Sequence, residues 1–380
     1  MVIERKRLKT TLKCLLWGIA GGRCEFKGCN KPLYVHDVTG DIENLAENAH
    51  IHAVSPGGAR YLKLNDKDKD SITNLMLVCP ACHTVFDRNP DRYTAEVLFS
   101  MKKEHENRIR TLTSIDASMK SHLVYYTANI ADDRLTVNDS DAKLALTSIG
   151  RYPAEMRPID LSIHGSYTND RDEKYYTENM QNLQKAIKGQ VLDVIEQGES
   201  IALFAMAPQP LLICLGSQLN DKYNISVFQC HRRDNDKWSW KDKYSPIDFR
   251  VILPKRKNNA GKIALVLALS NSVIEDRIIN VLGTDTKIYT ITLKNPNRTF
   301  VTHPMIMDSF VKKSRELIEY IKQIHGNKAS IHVFPVMPVS LAVRFGMDYM
   351  AKTDNPLIIY DEIAEHGFIP ALKIGGKCDS

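Results

Sequence analysis

The sequence predicts a small zinc-stabilised α+β module near the N-terminus, followed by a larger α/β domain built from two related halves. Three observations lead to this fold class: two close cysteine pairs, apolar strand candidates that alternate with helices, and a segment that occurs twice. Strands separated by helices are typical of a largely parallel sheet with crossover connections. At 380 residues the chain is long enough for two or three domains with separate cores.

The composition is that of an ordinary globular protein. Hydrophobic residues make up 43% of the chain and charged residues 25%, which excludes disordered and fibrous classes. No apolar run reaches the roughly 18 residues that span a bilayer, so we expect no membrane segment and a cytoplasmic location. The net charge of +6 permits an anionic partner without requiring one. A basic N-terminal run fits either a DNA contact or a solvated face: Arg5, Lys6, Arg7, Lys9 and Lys13.

Four of the eight cysteines form two close pairs, Cys24 with Cys29 and Cys79 with Cys82. Such pairs can converge on one tetrahedral zinc ion. Because four thiolates leave no open coordination position, we expect a structural rather than a catalytic Zn²⁺. Four unrelated buried thiols would not explain the tight pairing. The scattered remaining cysteines fit a reducing compartment better than a disulfide framework.

The elements around the cysteines form a compact unit. Apolar residues at helical spacing predict a helix over residues 5–17, and Gly21-Gly22 ends it. Residues 48–54 and 75–78 are predicted strands, and a helix is predicted from Cys82 onward. Two strands and a helix around a metal give a ββα module, which we assign to residues 1–112.

The reactive candidates in this module are His50, Asn74, His83 and Asp87. His83 and Asp87 are four residues apart on one helix face, where they can hold a divalent ion such as Mg²⁺. His50 on the facing strand can then deprotonate a water while the ion stabilises charge at a scissile phosphate. Asn74 would orient the histidine or tie down the loop. Singly, a histidine beside a zinc site is often only a supporting hydrogen-bond partner, but the combination favours a nuclease.

Residues 113–155 are weakly periodic and are interpreted as a boundary region, with the second domain at 156–380. Apolar runs in that domain predict strands over residues 159–163, 201–207, 225–228, 249–253, 263–269, 288–293, 331–336 and 357–360. Helices are predicted over residues 177–196, 308–324 and 340–350.

An internal repeat supports two fused halves. Residues 205–216 align without gaps with residues 335–346, and each copy follows one apolar strand and precedes another. Each copy also follows a long predicted helix. The second domain is therefore expected to contain two Rossmann-like halves.

Each copy of the repeat places a strand end beside a helix start, where free backbone N–H groups can receive a phosphate. The candidate residues are Pro208 and Gln209 in the first copy, and Pro338 and Ser340 in the second. The alternative is that these residues merely cap their helices. We favour phosphate binding for the pair of sites, because two related ends suit a ligand with two phosphates.

Aromatic and basic residues after the first copy are candidates for base stacking: Arg232, Trp238 and Trp240. We expect this loop to be exposed, and a contact between protomers explains it equally well. Tyr167, in the loop after the strand at 159–163, is a weaker candidate.

The order of the N-terminal residues resembles the HNH endonuclease family and its zinc-stabilised ββα-metal fold. The resemblance rests on Cys24, Cys29, Ala49-His50-Ile51, Gly57-Gly58, Asn74-Leu75 and Cys79-Pro80-Ala81-Cys82-His83. It implies that His50 is the general base, Asn74 the middle asparagine and His83 a ligand of the catalytic ion, with Asp87 as a further ligand.

One position departs from the family pattern. Many members place an aspartate or histidine ligand directly before the base, and this chain has Ala49 there. Glu47, Asn48 or His52 would have to substitute for that ligand.

The C-terminal part resembles a SAVED domain, a fused pair of CARF-like halves that senses cyclic oligonucleotides. The resemblance rests on residues 334–343 followed by 356–361. An HNH module in front of a SAVED module is similar to the nuclease effectors of CBASS antiphage systems. This similarity implies a DNase held inactive until a cyclic dinucleotide binds and drives the protomers to assemble into a homo-oligomer. Double-stranded DNA is the expected substrate, because a small ββα module inserts against one backbone and the basic N-terminal helix can follow the phosphates. Little sequence specificity is expected, because the sequence shows no separate reading element.

Two alternatives belong to other classes. One is a restriction-type HNH nuclease whose C-terminal domain reads DNA modification. The other is a non-catalytic ligand-sensing protein that keeps the zinc module only to bind DNA.

Overall fold

The computed structural model describes residues 8–163, 168–172, 174–231, 234, 236–241, 243–254, 261–363 and 366–376. The chain divides into two compact units, Met1–Asp116 and Ala117–Ser380. Two of the predicted ligand-binding residues, Tyr167 and Arg232, lie outside the described residues, as do Arg5, Lys6 and Arg7.

The described residues of the first unit form the expected ββα module, of two strands and one helix, with three further α-helices. Its elements are α1 (Thr10–Ile19), β1 (Glu47–His50), α2 (Asp66–Lys69), β2 (Leu75–Val78), α3 (Pro80–Arg88) and α4 (Ala95–Thr113). Strands β1 and β2 pair antiparallel with His50 opposite Leu75. Buried Leu16, Phe86 and Leu98 join both strands in one core.

Two element boundaries differ from the sequence prediction. β1 ends at His50. The backbone N–H and C=O of His52 are hydrogen-bonded to the side chain of Asn74, so they are not available to pair with a neighbouring strand. α3 begins at Pro80, because Cys79 caps it by accepting a hydrogen bond from the N–H of Cys82 and proline suits the first helical position.

The first half of the second unit contains a sheet in the order β4-β3-β6-β7, with β5 also paired to β3. The pairings are parallel. The elements are β3 (Lys120–Thr127), α5 (Asp139–Ser148), β4 (Tyr152–Pro153), β5 (Ile159–Asp160), α6 (Tyr175–Gln190), α7 (Leu192–Glu196), β6 (Ile201–Met206), α8 (Gln209–Leu219) and β7 (Ile225–Val227).

Strand β3 lies inside the range 113–155 that the sequence suggested as a boundary region. It is an inner strand of the sheet and pairs with β6 from His122 to Thr127. The difference arises because its first residues, Lys120 to His122, are polar and hide the apolar run that follows. The boundary between the two compact units lies before β3, between Asp116 and Ala117.

The second half forms a six-stranded mixed sheet in the order β13-β12-β11-β9-β10-β8. The inner strands are parallel, whereas the edge strands β8 and β13 pair antiparallel. The elements are β8 (Arg250–Ile252), β9 (Ile263–Ala268), α9 (Glu275–Leu282), β10 (Lys287–Thr292), α10 (Pro304–His325), β11 (Ile331–Val336), α11 (Val339–Met347), β12 (Leu357–Ile363) and β13 (Gly367–Ile374).

The repeated segments occupy equivalent places in the two halves. Residues 205–216 run from the end of β6 through α8, and residues 335–346 run from the end of β11 through α11. Both helices are buried over most of their length and belong to one hydrophobic core. In the described part of the chain, no helix has the length and apolar character needed to cross a bilayer.

Candidate nuclease and ligand-sensing sites

The four paired cysteines converge in the first unit. The sulfur atoms of Cys24, Cys29, Cys79 and Cys82 all lie within 4.8 Å of one another. Backbone N–H groups support two of them: the N–H of Cys79 donates to Sγ of Cys24, and the N–H of Cys82 donates to Sγ of Cys79, each at 3.4 Å. Four sulfur atoms at this spacing match the donor set of a closed, structural zinc site.

The protonation of these thiols also reflects their proximity. Burial raises the pKa of Cys24 to about 12. Burial acts on Cys79 in the same direction, but hydrogen bonds from the backbone and the thiol of Cys82 bring its pKa below the usual value. A bound Zn²⁺ would displace the protons of these thiols, because thiolates are the form that ligates metal.

His50 lies at the end of β1 and contacts a carboxylate that the sequence reading did not select. Its Nε2 atom is 3.0 Å from Oδ1 of Asp70, and the His50 side chain is 22% exposed. A carboxylate at Nε2 holds the proton on that nitrogen and leaves Nδ1 as the proton acceptor. The arrangement suits a general base.

Asn74 is buried and joins the two segments that carry this pair. Its side-chain oxygen accepts from the N–H of His52 at 2.9 Å, and its Nδ2 donates to the carbonyls of His52 and Lys69. These partners flank His50 and Asp70 in sequence. Of the two roles considered for Asn74, the contacts correspond to tying down the loop.

His83 on α3 lies between two carboxylates. Its Nδ1 is 2.5 Å from Oε2 of Glu47, and its Nε2 is 3.2 Å from Oδ2 of Asp87. Ala49 is 1% exposed and packs in the core, and its side chain offers no metal ligand. Glu47, one of three residues considered as a substitute at that position, is the one that contacts His83.

Arg60 was also missed by the sequence reading. Its guanidinium contacts Oδ1 of Asp87 at 2.5 Å and donates to the carbonyls of Ile51 and Phe86. It thereby fixes Asp87 between a cation and His83. An isolated arginine in a loop carries no sequence signal for this role, and Asp70 was hidden in the charged run at residues 66–70.

His83 and Asp87 offer one nitrogen and one oxygen donor, a set that suits a divalent cation. Among the described residues, the cysteine cluster is the group of three or more potential metal ligands whose donor atoms all lie within 4.8 Å of one another. A catalytic ion at His83 and Asp87 would therefore complete its coordination with waters and phosphate oxygens, as Mg²⁺ commonly does.

In the second unit, Pro208 and Pro338 precede the first turns of α8 and α11. Nε2 of Gln209 donates to the carbonyl of Met337 at 2.5 Å, which links the first half to the second. This contact places the two predicted helix starts close together.

Ser340 is buried and already bonded. Its hydroxyl donates to Oε1 of Gln229 at 2.7 Å, and its backbone N–H donates to the same atom at 3.2 Å. The expectation that this N–H is free to meet a phosphate is wrong for this structure, because the Gln229 amide has taken that position.

The two tryptophans do not form an exposed loop. Trp238 is 2% exposed and packs edge-on against Phe204, with ring centroids 5.2 Å apart. Trp240 is half-buried and lies over Phe228. The expected exposed stacking surface is wrong because these rings complete a core cluster beside β6, where their apolar area is removed from water.

Comparison with family models identifies both units. Residues 183–374, which are 192 of the 380 residues, match the "SMODS-associated and fused to various effectors sensor domain". The chain belongs to this SAVED family. Residues 24–89 match the HNH endonuclease family, and they contain the cysteine cluster, His50, Asn74 and His83. The first unit is therefore an HNH endonuclease domain, which belongs to a class of phosphodiester hydrolases.

Several solved structures are similar at low identity. A Cap4 SAVED/CARF-domain containing receptor from Acinetobacter baumannii with the cyclic trinucleotide 2'3'3'-cAAA is 12% identical, with a TM-score of 0.45. The match covers 78% of this chain and 61% of that one. The Moraxella osloensis Cap4 receptor is 10% identical, with a TM-score of 0.42, and the match covers 83% and 67%. No curated protein matches the chain in sequence.

Proposed function

We propose that this protein is a metal-dependent endonuclease that degrades double-stranded DNA, with little sequence specificity, after a cyclic oligonucleotide binds its SAVED domain. It acts in the cytoplasm as a CBASS effector in antiphage defence. The observation that carries the nuclease half is the pairing of His50 with Asp70, in a domain where His83 and Asp87 also face each other. The sensor half rests on the SAVED match.

Hydrolysis uses His50 as the base. Nδ1 of His50 takes a proton from a water, whose oxygen forms a bond to the phosphorus while the bond to the 3′ oxygen breaks. The released 3′ oxygen takes a proton from solvent and leaves as a hydroxyl. Asp70 holds Nε2 and stabilises the imidazolium that forms. His83 and Asp87 would hold a divalent ion, which would supply positive charge for the phosphate and the leaving oxygen. Glu47 holds Nδ1 of His83, an arrangement common where a carboxylate orients a ligating histidine.

Double-stranded DNA is the proposed substrate because a basic N-terminal segment precedes the domain and can follow phosphates. Phosphate contacts position a protein on DNA but do not read its sequence. Because the proposed contacts are to phosphates, the proposed cleavage has little sequence specificity.

A cyclic dinucleotide is the proposed activator, and ligand-driven assembly into a homo-oligomer is the proposed route of activation. The two repeated halves meet at Gln209 and Met337, so one ligand could contact both. A nuclease domain with one active site needs a second copy to cut both strands.

Plasmid cleavage in Mg²⁺, with and without a panel of cyclic di- and trinucleotides, tests this proposal. We expect cutting only with one ligand, no cutting by His50→Ala, and a larger species by light scattering with that ligand. Ligand-independent cutting would favour the restriction-type alternative. Ligand binding without any cutting by the wild type would favour the non-catalytic sensor.

A further inference from the structure

We propose that Arg60 makes the metal site of the nuclease domain select Mg²⁺ over Ca²⁺, because it occupies one of the two carboxylate oxygens of Asp87. This inference rests on the proposed function and names a specificity-determining residue for it. The guanidinium of Arg60 donates to Oδ1 of Asp87 at 2.5 Å. The other oxygen, Oδ2, lies 3.2 Å from Nε2 of His83. Asp87 therefore offers a single oxygen on the side of His83.

Arg60 is held on several sides by groups other than Asp87. Its Nε donates to the carbonyl of Ile51 at 2.9 Å, and one terminal nitrogen donates to the carbonyl of Phe86 at 2.9 Å. The guanidinium carbon lies 5.1 Å from the centre of the Phe86 ring. The Arg60 side chain is only 5% exposed. Because rotation away from Asp87 would leave these carbonyls without a donor and a buried cation without a counter-ion, the contact to Oδ1 persists when a metal ion binds.

The backbone of the loop also fixes Arg60. Its φ of 56° lies in the left-handed region, which a residue other than glycine adopts only where its surroundings impose it. Nδ1 of His52 donates to the carbonyl of Arg60 at 3.0 Å, and the N–H of His52 is in turn held by Asn74. The arginine is therefore positioned by the folded loop and not by the charge of Asp87 alone.

Mg²⁺ and Ca²⁺ differ in what they require from a carboxylate. Mg²⁺ demands octahedral geometry and keeps several of its waters, whereas Ca²⁺ accepts more oxygen ligands and can bind both oxygens of one carboxylate. The 3.2 Å between the donor atoms of His83 and Asp87 is close to the roughly 3 Å between adjacent ligands of an octahedral Mg²⁺. A site in which Asp87 contributes one oxygen therefore meets the requirement of Mg²⁺ and withholds a ligand from Ca²⁺.

The charge of Arg60 and its hydrogen bond to Asp87 have separable effects. A cation beside the site weakens the binding of both ions to a similar degree, because both ions carry the same charge. The hydrogen bond changes the number of available oxygens, to which Ca²⁺ responds more strongly than Mg²⁺. The ratio of the two affinities therefore reports the oxygen that Arg60 occupies, whereas the absolute affinities report its charge.

Competition binding to the full, zinc-loaded chain measures this ratio without any cleavage. Mn²⁺ is bound first, and its release by Mg²⁺ or by Ca²⁺ is followed by electron paramagnetic resonance. His83→Ala identifies the signal, because Mn²⁺ bound at this site should be lost in that variant. Bound zinc and thermal unfolding show whether each variant keeps the first unit folded.

Three substitutions separate the contact from the charge. Arg60→Gln removes the contact to Asp87 but places an amide nitrogen where Nε donates to Ile51, so that hydrogen bond can remain. Arg60→Lys keeps a positive charge that can still pair with Asp87. Arg92→Gln is the matched control, since Arg92 is exposed and lies over the ring of Tyr93, 5.4 Å from its centre. It repeats the change of side chain and charge at a second arginine–aromatic pair.

We expect the wild type, Arg60→Lys and Arg92→Gln to favour Mg²⁺ over Ca²⁺ to a similar degree. In Arg60→Gln, the ratio of Ca²⁺ affinity to Mg²⁺ affinity should rise at least about tenfold, which corresponds to about 1.4 kcal/mol. An unchanged ratio in a folded Arg60→Gln would overturn the proposal. An equal rise in Arg92→Gln, or bound Mn²⁺ that His83→Ala does not remove, would overturn it as well.

Infrared spectra of the wild type cover the case in which Arg60→Gln fails to fold. The separation between the antisymmetric and symmetric carboxylate stretching bands is wide when one oxygen binds a metal ion and narrow when both do. Asp87→Asn identifies the bands of Asp87. With Ca²⁺ bound, the wild type should show the wide separation, and a narrow separation would contradict the proposed role of Arg60.

Failure of the wider function gives a different result. If Arg60→Gln shifts the ratio of affinities but no cyclic ligand triggers DNA cleavage, the selective metal site stands and the ligand-gated nuclease does not. If a cyclic ligand triggers Mg²⁺-dependent cleavage while the ratio is unchanged in Arg60→Gln, the nuclease stands and the role of Arg60 does not.

Discussion

Gly216 on α8 lies directly against the carbonyl oxygen of Val343 on α11. A β-carbon built at Gly216 would come within 2.0 Å of that oxygen, which no side chain can do without moving backbone. The reciprocal contact exists as well, because a β-carbon at Gly346 would come within 2.1 Å of the carbonyl oxygen of Ile213. These residues occupy equivalent positions of the internal repeat. The two halves therefore meet through a pseudo-twofold helix crossing that requires glycine on both sides.

Replacement of either glycine should destabilise the second unit. We expect Gly216→Ala and Gly346→Ala each to lower the free energy of unfolding by roughly 1–3 kcal/mol, the usual cost of overpacking a core. Thermal and denaturant unfolding measure the change.

Gly189→Ala is the control for this crossing, because nothing lies within 4 Å of a β-carbon at that position in α6. It should be neutral or stabilise by up to about 1 kcal/mol, since alanine favours helix. Equal effects at all three glycines would show that the close approach is not what matters.

Removal of zinc should unfold the first unit. Cys24→Ser, or a strong chelator, removes one arm of the four-sulfur cluster, and metal binding supplies folding free energy in such small modules. Bound zinc measured by mass spectrometry and limited proteolysis of the first unit report the loss. Cys14→Ser serves as the control, since Cys14 is exposed and outside the cluster, and it should retain both metal and protease resistance.

Loss of the base should abolish most cleavage. His50→Ala should slow DNA cleavage by roughly 10²–10⁴-fold, the usual contribution of general acid–base catalysis. Asp70→Asn should slow it less, because the histidine remains. The turnover number should fall more than the apparent affinity for DNA, as measured by single-turnover cleavage of a labelled duplex.

A double variant shows whether Asp70 acts through His50. In His50→Ala, the further change Asp70→Asn should have no added effect, since residues that act as a unit are not additive. Asp68→Asn, two residues away and bonded to Asn65, should leave the rate unchanged. Additive losses would mean that Asp70 serves another purpose.

Glu47 should strengthen the binding of the catalytic metal ion. Glu47→Gln weakens the contact to Nδ1 of His83. Loss of a carboxylate that supports a ligating histidine typically costs about 10–100-fold in metal affinity or activity. We therefore expect the Mg²⁺ concentration for half-maximal cleavage to rise by roughly 10–100-fold. Glu43→Gln, in the loop before β1, is the control. An unchanged metal requirement with a lower rate would separate Glu47 from the ion.

The stability of the second unit should depend on Asp361. Burial raises its pKa to about 6, and its carboxylate accepts from the hydroxyl of Tyr176 at 2.5 Å. Because this pKa is above the usual value of 3.8, the folded state binds more protons than the unfolded state between these values. The contribution of Asp361 is therefore full below about pH 4 and is lost as the pH rises through about 6.

Asp361→Asn should flatten this pH dependence. The amide stays neutral and its oxygen still accepts from Tyr176, so thermal unfolding followed from pH 4 to pH 7 should fall less steeply than in the wild type. Glu362→Gln is the neighbouring control, because Glu362 pairs with Arg277 at the surface. Identical pH profiles for wild type and Asp361→Asn would contradict the assignment.

The sequence by itself determined features that depend on local order and spacing. Cysteine spacing predicted the four-sulfur cluster, because two thiols a few residues apart can reach the same metal ion. Strand and helix periodicity predicted the α/β class and most elements of the second unit, since burial repeats along each element. The repeat at residues 205–216 and 335–346 predicted two related halves. The spacing of His83 and Asp87 placed them on one helix face.

Tertiary structure decided which side chains meet across the chain. Asp70 and Arg60 lie in charged or turn segments without a pattern, and only folding of the loop brings them to His50 and Asp87. Likewise, Gln229 and Ser340 are 111 residues apart in the sequence. No local pattern could show that the side-chain oxygen of Gln229 accepts a hydrogen bond from the N–H of Ser340. The polar neighbours of Trp238 in the sequence predicted a surface position, but its ring packs in the core cluster beside β6. Burial and pairing at such distances follow from packing, which local periodicity does not encode.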